Sequence, residues 1–221
     1  ARLNTDLLNC SLFSAIPDPV PDLLSVTEEN YLGEVSQAVQ AIKANAFYKV
    51  IVSRKKAVPR PEDFHPEQLL HALCETYPHA FVYYWQLPGV GSWMGATPEI
   101  LMKETNGRIH TLSLAGTQLY QQPDLEEYGW KAKEIAEQAI VSRFIVQLLD
   151  KMGVEDMAIE GPMTLRAGNL VHLATGFSFD SDNLQVSRGR FIQQLHPTPA
   201  IAGLPREEAL NFIRSVEGYN R

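Results

Sequence analysis

The chain has 221 residues, of which 45% are hydrophobic and 20% charged, and a formal charge of -7, so it can bury one large core or two small ones. No apolar run approaches the ~20 residues of a membrane span, and the N-terminal text "ARLNTDLLNC" lacks the charged-then-apolar plan of a secretory signal, so a cytoplasmic protein is expected. The acidic balance, with no basic run longer than "SRKK" at residues 53–56, argues against nucleic acid or an anionic membrane as partner and leaves a small molecule as the expected ligand, with the oligomeric state open.

Residues 1–26 contain "IPDPVPD" and read as an extended lead-in, the remnant of a longer N-terminal region. Residues 27–221 read as the working domain. A polar cap at Thr27, acids at Glu28 and Glu29, and apolar residues at Tyr31, Val35, Ala38, Val39 and Ile42 predict an amphipathic helix. It feeds "YKVIVSR" (48–54), a predicted strand. Prolines 59, 61 and 66 then lead to a helix near 66–76, followed by strands at "AFVYYWQL", "SWMGA" and "EILMKE". Asn106-Gly107 signals a two-residue hairpin into "RIHTLSL". A long helix is expected from about Tyr128 to Lys151, ended by Gly153. Strands "MAIEG" and "NLVHLATGFSF", a short helix before His196 and a last helix opened by Pro205 complete the chain. Strand runs interrupted irregularly by helices give an α+β fold class with antiparallel sheets. Cys10 and Cys74 show no partner pattern, so neither a disulfide framework nor a zinc site is expected.

Three features carry possible chemistry. Lys49 shares a strand face with Ile51 and Ser53, while Tyr48, Val50 and Val52 take the other, which predicts an interior strand and a buried amine. A buried amine tends towards its neutral form and can act as a general base; the competing reading is an edge lysine that reaches for water. In "GATPE" (95–99), Pro98 fixes a bend and Glu99 is expected at the start of the next strand. An apolar setting would make it a general acid; the alternative is an ordinary turn glutamate. On the long helix, Val141, Phe144 and Leu148 follow Glu137 at helical spacing, and Glu134 lies one turn before it. Two carboxylates on a partly apolar stripe suit a hard cation such as magnesium, unless they form an exposed helix end paired with Lys131 or Lys133.

Glycine-containing segments "LAGT" (114–117), "LRAGNLVHL" (165–173) and "HPTPAIAGLP" (196–205) offer backbone amides that can face a carboxylate ligand. His172 and His196, taken alone, read as structural histidines.

Together and in this order, "KVIVSR", "GATPE", "LAGT", "KEIAEQ" and "HPTPAIAGLP" resemble the chorismate-utilising enzymes, from about Tyr31 to Arg221. The resemblance implies a magnesium-dependent reaction on the chorismate ring within an α+β fold of antiparallel sheets flanked by helices. It implies Lys49 and Glu99 as base and acid, and Glu137 with Glu134 as magnesium ligands. Gly116, Thr117, His172, Ala200 and Gly203 would contact the substrate. Lysine in "KVIVSR", where ammonia-using relatives usually carry glutamine, points to water as the nucleophile. "HPTPA" and the absence of arginine-glycine after "AGT" favour isochorismate synthase over anthranilate synthase, and Ala200 favours it over salicylate synthase, which tends to have threonine there. Gln138 departs from the family, where histidine often follows the metal glutamate. The resemblance also implies further carboxylate- and metal-binding residues beyond Arg221, so these 221 residues alone are expected to bind magnesium and chorismate poorly. Isochorismate serves menaquinone and catechol siderophores alike, and the text holds no siderophore-specific partner motif.

Overall fold

The computed structural model describes residues 26–218, and all but the last residue of the expected lead-in fall outside them. The chain forms two compact units, one containing residues 55–98 and the other residues 26–54 together with the chain from Glu99 onward.

In the first unit, helix α2 (Pro66–Thr76) precedes an antiparallel hairpin of β2 (Phe81–Leu87) and β3 (Gly91–Thr97). Proline at the first helical position of α2 costs no hydrogen bond, because that N–H has no partner within a helix. The indoles of Trp85 and Trp93, cross-strand partners, stack with centroids 5.6 Å apart. Gly95 lies beneath the Tyr83 ring, and a Cβ there would stand 2.7 Å from the Tyr83 hydroxyl, so a side chain at this strand position would require the Tyr83 ring to move.

The second unit opens with α1 (Glu28–Lys43), capped by the Thr27 hydroxyl accepting from the Asn30 N–H at 3.1 Å. The next strand, β1 (Lys49–Val50), is two residues long and pairs antiparallel with β8 (Gly203–Leu204). The interior strand expected over 48–54 is therefore not formed among the described residues. Its described ladder is the pairing with β8, and Tyr48 faces outward. The β8 strand leads directly into α5 (Arg206–Val216).

The main sheet has the order β4 (Lys103–Thr105), β5 (Arg108–Leu119), β7 (Leu170–Asp180) and β6 (Ala158–Ala167), all antiparallel. Asn106 and Gly107, at φ 52° and 73°, form the expected two-residue turn between β4 and β5. The strand expected at "EILMKE" keeps only its last residues in β4, and "MAIEG" grows into the ten-residue β6 because it pairs along β7.

Helix α3 (Ala132–Lys151) covers one face of this sheet. Val141, Ile145, Leu148 and Leu149 pack with Ile109, Phe177 and Phe179, and α4 (Arg188–Leu195) adds Phe191 and Leu195. Gln138 joins this buried stripe. Its Nε2 lies 3.1 Å from Ser113 Oγ, 2.8 Å from Ser142 Oγ and 2.6 Å from Thr175 Oγ1, three hydroxyls between helix and sheet. A buried amide is tolerated in a core when such partners replace water. Helices beside antiparallel sheets are the α+β class read from the sequence.

Candidate active site

Lys49 and Glu137 meet. The Nζ of Lys49 lies 3.2 Å from Oε1 of Glu137, with the lysine side chain 12% and the glutamate side chain 33% exposed. The nitrogen is buried and makes no well-aligned hydrogen bond, so this ion pair is the attraction that compensates its loss of water. The burial expected for Lys49 is present, although the interior strand is not.

Lys49 is held by its backbone neighbours. Tyr48 N–H donates to the Leu204 carbonyl and Ile51 N–H to the Ala202 carbonyl, both at 2.8 Å. Gly203 stands opposite Val50 at φ 152°, and a Cβ there would overlap the Lys49 carbonyl oxygen and press on Ala209 Cβ at 2.7 Å. Glycine is thus required for the two backbones to come this close. Ala200, in the same segment, packs against the core around α3.

A second group of expected residues gathers around the start of α3. Between Ala115 and Thr117 the β5 ladder shifts register, and Gly116 takes φ 79°. A Cβ on Gly116 would come within 3.1 Å of Glu134 Cβ, so this bulge seats against the first turn of α3. Thr117 pairs with His172 across the strands, with Thr117 Oγ1 3.0 Å from His172 Nδ1. The Gly116 carbonyl is 3.3 Å from the same nitrogen. A carbonyl only accepts, so Nδ1 carries the proton and Nε2 presents a lone pair in the neutral ring. Burial holds the His172 imidazole below its ordinary value, opposed by the hydrogen bond to Gly116, which favours the neutral ring around pH 7.

The two groups are joined by α3, because Glu134 and Glu137 stand three residues apart on one helix face. Glu134 Oε2 accepts the Lys131 N–H at 2.6 Å and caps the helix with that oxygen. Glu137 is the carboxylate that already attracts a cationic group, the Lys49 ammonium. It therefore fits a hard cation better than Glu134 does. Among the described residues no three histidine, cysteine, aspartate or glutamate side chains cluster as a metal cage.

Glu99 does not open a strand; it lies in the irregular segment between β3 and β4, half-buried. Burial holds its carboxyl above the ordinary value of 4.5, the direction that an acid donor needs.

Sequence reasoning missed Gln138 as a core residue and missed Glu217 altogether. Glu217 is 3% exposed at the C-terminal end of α5, and its Oε1 accepts from Ser53 N–H at 2.6 Å and from Ser53 Oγ at 3.2 Å. The signal was present: Ala209, Ile213 and Glu217 form one stripe at a spacing of four, and an acid at a helix C-terminus opposes the helix dipole.

Among the described residues, no helix is long and apolar enough to cross a membrane. The family described as chorismate binding enzyme matches residues 15–221. The vibriobactin-specific isochorismate synthase of Vibrio cholerae is 25% identical over 213 residues, covering 89% of this chain and 51% of that protein. The salicylate biosynthesis isochorismate synthase of Pseudomonas aeruginosa is 30% identical over 197 residues, covering 85% of this chain and 40% of that protein. The solved menaquinone-specific isochorismate synthase of Escherichia coli shares the fold, with a TM-score of 0.72, 23% identity, and coverage of 92% of this chain and 50% of its own. The chain spans about half the length of the curated relatives it matches. With that match over most of its residues, the chain belongs to the chorismate binding enzyme family.

Proposed function

We propose that the protein is an isochorismate synthase, converting chorismate to isochorismate by water attack at C2 and loss of the C4 hydroxyl. The observation that supports this most is the buried Lys49 amine at 3.2 Å from Glu137, in a chain of the chorismate binding family. A water nucleophile needs a base at that place, whereas ammonia does not.

In this reading Lys49, as the neutral amine, takes the proton of the attacking water. An ammonium bound to a carboxylate has no lone pair to offer, so the Lys49–Glu137 contact must open before the amine can act. Glu99, whose carboxyl burial holds above its ordinary value, donates its proton to the departing C4 oxygen. The fixed donors and acceptors at Gly116, Thr117 and His172 orient the substrate, and the neutral His172 ring offers Nε2 as an acceptor for a substrate hydroxyl. Ala200 and Gly203 bound the other side of this reading, with Gly203 acting through the backbone it allows.

Glu137 would hold magnesium, with Glu134 contributing the oxygen that is not capping the helix or acting through water. The ion would supply positive charge for the ring carboxylate. The substrate is then a dicarboxylate small molecule, and neither nucleic acid nor a membrane is required.

The test is product identification. The protein is incubated with chorismate and magnesium, and isochorismate is expected. Salicylate or anthranilate as first product would overturn the reading, as would unchanged turnover in Lys49→Ala.

A further inference from the structure

Glu137 faces two cations: the Lys49 ammonium, which it meets at 3.2 Å, and the magnesium that its carboxylate suits. The two compete for one negative charge. A divalent ion on either oxygen of Glu137 would be separated from Lys49 Nζ by no more than the carboxyl group itself. Like charges at that spacing repel strongly where protein replaces water.

The contact opens through its side chains, because both backbones are held. Lys49 pairs with Leu204 in the ladder, and the Tyr48 and Ile51 N–H groups donate to the Leu204 and Ala202 carbonyls at 2.8 Å. Glu137 stands on α3, where Gln138, the next residue, is bonded in the core. Lysine carries the longer and more flexible stem of the pair. Exposure sets the direction of the exchange: the Lys49 side chain is 12% exposed and that of Glu137 33%, so a cation arriving from solvent reaches the carboxylate before it meets the amine.

The Lys49 nitrogen is buried and makes no well-aligned hydrogen bond, so charge rather than an oriented bond holds the contact. A divalent ion brings twice the charge and approaches a carboxylate oxygen to ~2.0–2.1 Å, closer than the 3.2 Å of the amine. Displacing the ammonium still has a cost, since a buried cation parted from its anion is unfavourable. That cost subtracts from the affinity of Glu137 for the arriving ion.

We propose that Lys49 guards Glu137: its ammonium is a tethered competitor for divalent cations, so that filling of the carboxylate and release of the Lys49 side chain are one exchange. This rests on the reading of Glu137 as the magnesium carboxylate and adds its regulation. The ion pair that must open before Lys49 can meet the attacking water opens when Glu137 is filled, so the base is released in a site already loaded.

The test measures Mn2+ binding to the intact protein without chorismate, from the electron paramagnetic resonance signal of the free ion; manganese shares the oxygen preference of magnesium. Lys49→Met removes the charge and keeps an apolar stem, and is expected to bind Mn2+ about tenfold more tightly than the wild type. Lys49→Gln, neutral but polar, is expected to show the same gain, so the comparison survives if one variant fails to fold. Lys49→Arg keeps the charge and should stay within about twofold of the wild type. Adding Glu137→Gln to Lys49→Met should abolish the gain, which assigns the ion to Glu137. Equal or weaker binding in the folded neutral variants overturns the proposal, and so does a gain that survives Glu137→Gln. The expected gain in a protein whose wild type forms no isochorismate leaves the guard in place and removes the isochorismate reading. Isochorismate formation by the wild type, with Mn2+ affinity unchanged in Lys49→Met, does the reverse.

Discussion

The Lys49 ammonium and the Glu137 carboxylate form an ion pair at 3.2 Å between a two-residue strand and the second turn of α3. The nitrogen is the more deeply buried partner, so the pair is asymmetric: losing the carboxylate leaves a cation without water, and losing the amine leaves a carboxylate that solvent can reach. Glu137→Ala is expected to destabilise the fold by about 1–3 kcal/mol and Lys49→Met by less. Urea denaturation of both variants measures the order, and equal losses would contradict the asymmetry.

Gly203→Ala should be more damaging than its size suggests. The new methyl meets the Lys49 carbonyl oxygen and Ala209 Cβ, and neither belongs to a flexible chain end. A loss of about 2–4 kcal/mol is expected, with turnover falling even where the variant remains folded. Thermal melts together with kcat measured below the melting range separate the two effects.

Glu99 gives a pH dependence with a defined sign. Its folded value lies above 4.5, so the protonated form that donates to the leaving oxygen is lost as pH rises through that raised value. The alkaline limb of kcat/KM is expected to carry this loss. Glu99→Gln, which has no proton to give, should reduce turnover by about 10²–10⁴-fold and remove that limb.

Glu34 is also held above 4.5, first by burial and then by the charge of Glu217. A raised folded value means that its favourable contribution is complete below the unfolded value and is lost as pH rises through the folded one. Relative to Glu34→Gln, the wild type should therefore lose stability as pH rises above about 4.5, read as a widening gap between the two melting temperatures. A constant gap would show that Glu34 ionises as freely in the folded chain as in the unfolded one.

His172 runs the other way. Its folded value is depressed, so its contribution is present above 6.5 and is lost as pH falls through the lower folded value. Nitrogen NMR of the imidazole should show the Nδ1–H tautomer at pH 7, set by the Gly116 carbonyl. The Nε2–H tautomer would remove the acceptor role.

Much of the fold was legible because it rests on local chemistry. Thr27 with Glu28 and Glu29, Pro66, the Asn106-Gly107 turn and Pro205 each mark an element that the structure contains. What was not legible depends on pairing across distance. The β-branched text around Lys49 predicts a strand, but its length is decided by β8, some 150 residues later in the chain. The long β6 is likewise set by the partner β7 rather than by its own residues. At the site, Lys49 and Glu137 were singled out separately, and their contact could not be read from spacing. Gly203 was expected to offer an amide to a ligand; that a Cβ there would run into the Lys49 backbone could not be read from the sequence. Gln138 was noted only as a departure from the family, and its burial escaped because a polar residue on a helical stripe reads as the edge of the apolar face.

The hydroxyls of Ser113, Ser142 and Thr175 around the Gln138 amide act as a key in a lock between helix and sheet. Sliding α3 by one turn, ~5.4 Å, would strand the amide among hydrocarbon and leave Ser113 and Thr175 without it. An all-apolar seam would tolerate such a slip with similar packing energy. Because this one does not, the height at which Glu134 and Glu137 arrive beside Gly116 and Lys49 is discrete, and the core amide that follows Glu137 in the helix dictates where the carboxylates stand.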